Sequence, residues 1–251
     1  MSILKSEAVV LKTHDFQETS KIVSLYSKEA GRLQLIAKGV RSSKSKFGAL
    51  LDGLNYLRIV YYFKETRELQ LLSNAELIKA FSHLRDNLER FSYASIVVEI
   101  IYRTQLVGEK NPRLFYTIIS SFEGINDSEN YQNYFNAFLI RFIEISGFHP
   151  KLRRCLNCGQ PPEGNYVYFN FDRGGYFCGK CNESQSSGFR LSVDGLKFIL
   201  ALRDYSWQNI GKITVSKKIL LEIENFLLYY LKVHFDGLTT LRSVNFLRSL
   251  H

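Results

Sequence analysis

Long apolar runs are missing from this chain. No stretch approaches the about 18 apolar residues needed to cross a bilayer, and the densest one near the end, Phe226 to Leu231, falls far short. Met1 to Lys12 alternates polar and apolar residues and lacks a basic segment ahead of an apolar one, so it does not read as a signal peptide. The expectation is a soluble, cytoplasmic protein with no membrane role. Catalytic signatures are missing too. There is no G-x-x-x-x-G-K-[ST] phosphate loop, no H-E-x-x-H and no G-x-S-x-G elbow. Cysteine is scarce: the four present all lie between 155 and 181, which argues for one local site in a reducing compartment over a secreted disulfide framework. Acidic residues are in deficit, with 24 Asp and Glu against 33 Lys and Arg, and the formal charge of +9 favours polyanionic partners.

What is present suffices for a folded protein, because 45% of the 251 residues are hydrophobic. Charge is uneven along the chain. Residues 1–80 carry 13 basic and 8 acidic groups, residues 81–150 carry 6 and 8, and residues 151–251 carry 14 and 8. The hydrophobic period changes at the same places. Ser6 to Thr13, Lys21 to Tyr26, Leu33 to Lys38, Leu54 to Phe63 and Leu69 to Ser73 read as short strands. In Leu54 to Phe63, Leu57, Ile59, Tyr61 and Phe63 point one way and Tyr56, Arg58, Val60 and Tyr62 the other. Such a stretch predicts a small closed barrel, with the oligonucleotide-binding OB-fold leading. From Glu76 the period becomes helical. Leu84, Leu88, Phe91, Ser95, Val98 and Tyr102 share one predicted face, Asn111-Pro112 starts a second helix, and Tyr131 to Ile145 forms a third that Gly147 and Pro150 stop. Further helices are predicted at Val193 to Arg203 and Lys217 to His234, their apolar stripes serving as core. The fold class is therefore α+β. Residues 1–80 are expected to form an N-terminal OB-fold β-barrel, 81–150 and 190–251 a C-terminal all-α helical domain, and 151–189 an inserted four-cysteine zinc-ribbon module.

The insertion carries the most specific motif. Cys155-Leu-Asn-Cys158 and Cys178-Gly-Lys-Cys181 are two C-x2-C knuckles at zinc-ribbon spacing. Four thiolates close a tetrahedral sphere around Zn2+ and leave no position for substrate, so the ion is structural. Redox use of the knuckles would need a thioredoxin-like βαβ pattern around them, and none is visible. An iron–sulfur cluster takes four cysteines as well, but paired knuckles at this distance are commoner for zinc. A zinc deaminase would need H-x-E and P-C-x-x-C; Arg154 precedes Cys155 and no His-x-Glu occurs.

A second feature is the loop from Lys38 through Arg41, Lys44 and Lys46 to Gly48, with four cations and no carboxylate. It can follow a phosphate backbone, the alternative being an ordinary solvated loop. Tyr56, Arg58 and Tyr62 on the adjacent strand could add stacking surface or be simple fillers, and Lys21 and Arg32 could extend the positive surface.

Ala8-Val-Val-Leu-Lys12, Glu18-Thr19, Ile22-Val23, Gly31-Arg32-Leu33, Ala37-Lys38-Gly39-Val40-Arg41 and Phe47-Gly48 together resemble the RecO recombination mediators of bacterial DNA repair. The likeness continues through Glu76-Leu77, Phe81, Leu84-Arg85, Arg141-Phe142 and Gly147-Phe148-His149-Pro150 into the knuckles, covering essentially the whole chain. It implies a non-enzymatic protein that binds single- and double-stranded DNA and anneals complementary strands. With RecR it would help load RecA onto strands coated with single-strand-binding protein (SSB), whose acidic, hydrophobic tail would dock on the helical domain. Carried over by motif, the DNA contacts are Arg32, Lys38, Arg41, Lys44 and Lys46, with Lys12 and Arg58 behind them. The competing readings are a zinc-ribbon factor of transcription or translation, a metal-dependent nuclease, and a structural adaptor whose charge is incidental.

Overall fold

The computed structural model describes residues 1–42, 45, 48–182 and 188–250. Five strands open the chain: β1 (Ser2–Phe16), β2 (Ser20–Ser27), β3 (Gly31–Ala37), β4 (Tyr56–Phe63) and β5 (Gln70–Lys79). They close a barrel in the order β1-β2-β3-β5-β4, with β4 returning to β1. Closure depends on the length of β1. Its first half, Ser2 to Val9, pairs with β4, and its second half, Ala8 to Phe16, pairs with β2 across a register shift between Val10 and Lys12. A bulge there bends one strand so that it serves two neighbours. A parallel seam between β3 and β5 joins Leu35-Ile36 to Gln70-Leu71.

Alternation sets the interior. Leu57, Ile59 and Tyr61 of β4 meet Ala8, Val10, Val23, Leu25, Leu33, Leu35, Leu72 and Ala75 in one buried cluster. Val40 and Leu51, from either end of the basic loop, are buried in the same cluster. β5 is longer than the sequence predicts: Glu76 to Lys79, read as the start of helical periodicity, is strand paired to Tyr56–Arg58. Cross-strand pairing overrides local preference there and leaves Leu77 and Ile78 exposed.

After the barrel come α1 (Ser82–Asp86), α2 (Leu88–Thr104) and α3 (Pro112–Asp127). Asn87 and Asn111 start α2 and α3, their side-chain oxygens accepting from the N–H of Arg90 and of Leu114. Next are α4 (Tyr131–Ile145), β6 (Tyr166–Asn170), β7 (Gly175–Cys178), α5 (Gly179–Asn182), β8 (Phe189–Ser192), α6 (Val193–Asp204), α7 (Trp207–Ile210), α8 (Lys217–His234) and α9 (Arg242–Arg248). The chain packs as two compact units, Met1–Asn126 with Leu241–His251, and Asp127–Thr240. In the first unit α1, α2, α3 and α9 pack with the barrel, so its boundary falls within the stretch that sequence periodicity groups as one helical domain.

The second unit is built on α4, α6 and α8. Arg141 of α4 donates to the carbonyls of Leu202 and Tyr205 at the end of α6 and lies 4.1 Å over the Trp207 ring, so one guanidinium caps a helix and covers an aromatic. The three-stranded antiparallel sheet β7-β6-β8 belongs to this unit. Its inner residues Val167, Phe169 and Leu191 are buried, and Phe169 packs edge-on against Phe226 of α8. Among the described residues, no helix is long and apolar enough to cross a membrane.

Candidate nucleic-acid interface and metal centre

The two knuckles meet. Cys155 and Cys158 lie before β6, Cys178 ends β7 and Cys181 sits on α5; the four sulfurs all lie within 4.8 Å of one another. A tetrahedron of thiolates with Zn–S bonds of about 2.3 Å has sulfurs about 3.8 Å apart, and Cys158 and Cys178 are separated by 3.9 Å. The backbone builds the cage. The Cys155 N–H donates to Gln160 O (2.8 Å), Gly159 N–H returns to Cys155 O (3.0 Å), and Leu156 N–H ties the first knuckle to Tyr176 O of β7 (2.9 Å). Gly159 turns with φ +70°, a conformation that glycine adopts without strain. Cys178 N–H and Asn157 Nδ2 donate to the sulfurs of Cys155 and Cys181 at 3.3 and 3.4 Å, the outer-shell support typical of metal thiolates. The sulfurs do not ionise alike. Burial opposes charge on Cys155, but the N–H groups of Cys158, Cys178 and Asn157 outweigh it and bring its thiol down to about 6, whereas burial pushes Cys178 up to about 11. Four soft donors within 4.8 Å of one another, none in a disulfide, can hold one metal ion.

The candidate DNA contacts lie on the barrel in three groups. Lys38 and Arg41 are exposed on the turn that follows β3, on either side of the buried Val40. That turn is fixed to the barrel: Arg41 N–H donates to Thr19 O (3.0 Å), and the guanidinium reaches Gln17 O (3.3 Å) and the Asp15 carboxylate (3.3 Å). Lys44 and Lys46 lie outside the described residues. At the far end of the loop Lys21 pairs with Asp52 (2.5 Å), and Arg85 donates to Asp52 O, Gly53 O and Asn55 Oδ1.

Lys12 and Arg32 form the second group, both against one ring. Their charges lie 5.6 and 5.0 Å from the centroid of Tyr102 on α2. Arg32 also donates to Tyr102 O at 2.5 Å, and Gly108 N–H donates to Arg32 O, so this arginine fastens β3 to the helices. Arg58 stands apart from both. It is exposed on β4 between Glu7 and Glu76 in the sheet register, with the latter carboxylate 3.9 Å away. Of the tyrosines considered for stacking, Tyr56 is occupied: its OH donates to Glu7 (2.7 Å) and its ring packs on Phe115. Burial, then the Glu7 carboxylate, raises its pKa.

The sequence did not mark the groove beside Lys12. A cavity of about 470 Å³ is lined by Leu11, Lys12 and Leu54 of the barrel, by Phe91, Val98, Tyr102 and Arg103 of α2, and by Arg242 and Ser243 of α9. It displays part of the predicted α2 face, Phe91, Ser95, Val98 and Tyr102. Leu88 and Phe91 are 54% and 40% exposed, while Tyr93, Ile96, Val97, Ile100 and Ile101 carry the packing. Glu99 closes one side, its carboxylate accepting from Arg242 N–H, Ser243 N–H and Ser243 Oγ and pairing with Arg103 at 2.5 Å.

A five-stranded OB-type barrel followed by helices and a four-cysteine sheet module defines an α+β protein of the oligonucleotide-binding barrel class. Residues 1–81 match the family described as Recombination protein O N terminal, and residues 85–242 match Recombination protein O C terminal. The chain is 31% identical over 238 residues to the DNA repair protein RecO of Caldanaerobacter subterraneus subsp. tengcongensis, covering 94% of each chain. It is 30% identical over 239 residues to that of Pelotomaculum thermopropionicum, covering 94% of this chain and 91% of the relative. The chain belongs to the RecO family of DNA repair and recombination proteins.

Proposed function

We propose that this protein is a non-enzymatic recombination mediator. It binds single- and double-stranded DNA, anneals complementary strands and, together with RecR, helps RecA replace SSB on single strands. The observation that carries the reading is the anchored turn of the barrel, where buried Val40 holds Lys38 and Arg41 toward solvent at the root of a loop that adds Lys44 and Lys46. Cations on a fixed root meet phosphates without first losing the freedom of a floppy loop. Lys12 with Arg32 over Tyr102 offers a second point of contact, and Arg58, offset by two carboxylates, a weaker one.

Annealing by such a surface needs no bond-making group. Phosphates held by cations lower the repulsion met by a second strand, and the bases stay free to pair. Cys155, Cys158, Cys178 and Cys181 hold one Zn2+, which closes residues 151–189 into a module and takes no part in chemistry. In this reading residues 1–80 carry the main DNA surface, 81–150 with 190–251 are the helical domain, and α1, α2, α3 and α9 brace the barrel within its own unit. The cavity lined by Leu11, Leu54, Phe91 and Val98 with Lys12, Arg103 and Arg242, where the cations outnumber the one carboxylate, Glu99, suits the acidic, hydrophobic SSB tail. Such work places the protein in the cytoplasm, on the nucleoid.

Fluorescence anisotropy with labelled single strands and duplexes, followed by a denaturing gel after incubation with magnesium, tests this. Binding to both with every strand intact is expected. Cleavage abolished by one carboxylate substitution would establish the nuclease reading instead, and RNA binding without DNA binding would favour a transcription or translation factor.

A further inference from the structure

The metal module has an outer face that the barrel-centred reading does not use. In the β7-β6-β8 sheet, Tyr168 lies opposite both Phe177 and Arg190, and Tyr166 opposite Ser192. Alternation that buries Val167, Phe169 and Leu191 turns Tyr166, Tyr168 and Arg190 to the other side, where both tyrosines are half-buried and Arg190 is exposed. The Arg190 guanidinium lies over the Tyr166 ring, 3.6 Å from its centroid. Beside it, Tyr166, Tyr168, Pro161 and Lys180 line a cavity of about 660 Å³ whose far wall is formed by the metal ligands Cys158, Cys178 and Cys181. Among the described residues neither Arg190 nor Lys180 has an ion-pair partner. Residues 151–190 carry six basic side chains against three acidic ones, and Glu163 is the acid that reaches this cavity.

We propose that this sheet face is a second site for single-stranded nucleic acid, with unpaired bases stacking on Tyr168 and on the Arg190–Tyr166 pair while Lys180 meets the phosphates. Three properties select that occupant. Aromatic and guanidinium planes on a strand face accept any base by stacking, without sequence preference. The uncompensated cations favour a polyanion, and a cavity in the about 300–1,000 Å³ range that encloses small ligands has room for a base swung out of its strand. A duplex keeps its bases stacked inside and cannot offer them. This inference takes the ligand's identity as DNA from the proposed function, but it stands on a different compact unit and on stacking, which the barrel turn does not supply.

Photocrosslinking tests it with the full-length, zinc-loaded protein and an oligothymidine carrying 5-iododeoxyuridine, the adducts being mapped by peptide mass spectrometry. Adducts on Tyr166 or Tyr168 are expected. Adducts confined to residues 1–81 would overturn this site and leave the barrel reading standing; no binding at all would overturn both. Tyr168→Leu keeps the bulk and removes the ring. Provided its zinc content and circular dichroism match the parent, its affinity for oligothymidine should fall about tenfold, within the about 5- to 150-fold typical of one lost stacking ring, with duplex affinity unchanged. Lys180→Gln, which keeps both cysteines of its knuckle, should lower the salt slope for single strands by about 0.7. Parental affinity in Tyr168→Leu together with a parental slope in Lys180→Gln would refute the proposal.

Discussion

Replacing Glu99 by Ala should loosen α9, although the two are more than 140 residues apart in sequence. The Glu99 carboxylate stands in for the cap that α9 lacks: it accepts from the first N–H groups of that helix at 3.1 and 2.9 Å and from Ser243 Oγ at 2.5 Å. A lost helix cap costs about 1 kcal/mol, a lost hydrogen bond to a charged group about 1.5–3 kcal/mol, and the i,i+4 pair with Arg103 about 0.3–0.5 kcal/mol. Because the three share one carboxylate they do not add fully, and about 3 kcal/mol is the expected local loss. Hydrogen exchange at Arg242 and Ser243 reads that loss directly, and urea denaturation reads whatever part is global. The same carboxylate adds a pH dependence. Burial opposes its charge, but the donors from Ser243 and Arg242 and the Arg103 guanidinium outweigh that and hold it below the usual glutamate value. Its contribution is therefore present above the unfolded-state pKa and is lost as pH falls through the lower folded-state value. Glu99→Gln should flatten that acid limb. A change under about 0.5 kcal/mol, with exchange at α9 unaltered, would refute this role.

Three further outcomes are expected. Gly31→Ala should destabilise the barrel unit by about 3 kcal/mol or more, since φ is +62° and a Cβ would sit 1.9 Å from the Glu109 carbonyl oxygen; thermal denaturation checks it. Chelation, or Cys178→Ser, should unfold residues 151–189, because structural zinc supplies about 10–16 kcal/mol of folding energy in comparable small modules; metal analysis with circular dichroism reads this. If the four loop cations each meet a phosphate of single-stranded DNA, they contribute about −3 to the log–log salt slope, and Lys44→Ala with Lys46→Ala should flatten it by about 1.4, as a salt titration would show.

The parts of this architecture governed by local rules were legible in the sequence. The knuckles were, because C-x2-C spacing fixes which sulfurs can share an ion. So were the alternation of β4 and the start of α3, where Asn111 Oδ1 accepts from Leu114 N–H as its position before Pro112 implied. What escaped depends on distant partners. The sequence found the α2 stripe but not its partner: both faces of that helix are apolar, and only the neighbours decide that Ile96, Val97 and Ile100 are core while Phe91 borders a groove. The short α9 went unread because Val244 and Leu247 are its only buried residues and its cap comes from Glu99. The sequence could rank the cations only by motif. Asp15 beside Arg41, Glu76 beside Arg58 and Tyr102 beneath Arg32 and Lys12 make them unequal, and none of these pairings is local.

The central claim is that a cationic barrel surface brings strands together without altering a covalent bond. A fluorescence assay of complementary oligonucleotide pairing, with and without SSB on the strands, tests it most directly. Pairing should accelerate with the protein and weaken on substituting Lys38, Lys44 and Lys46; no acceleration under any salt condition would contradict the account.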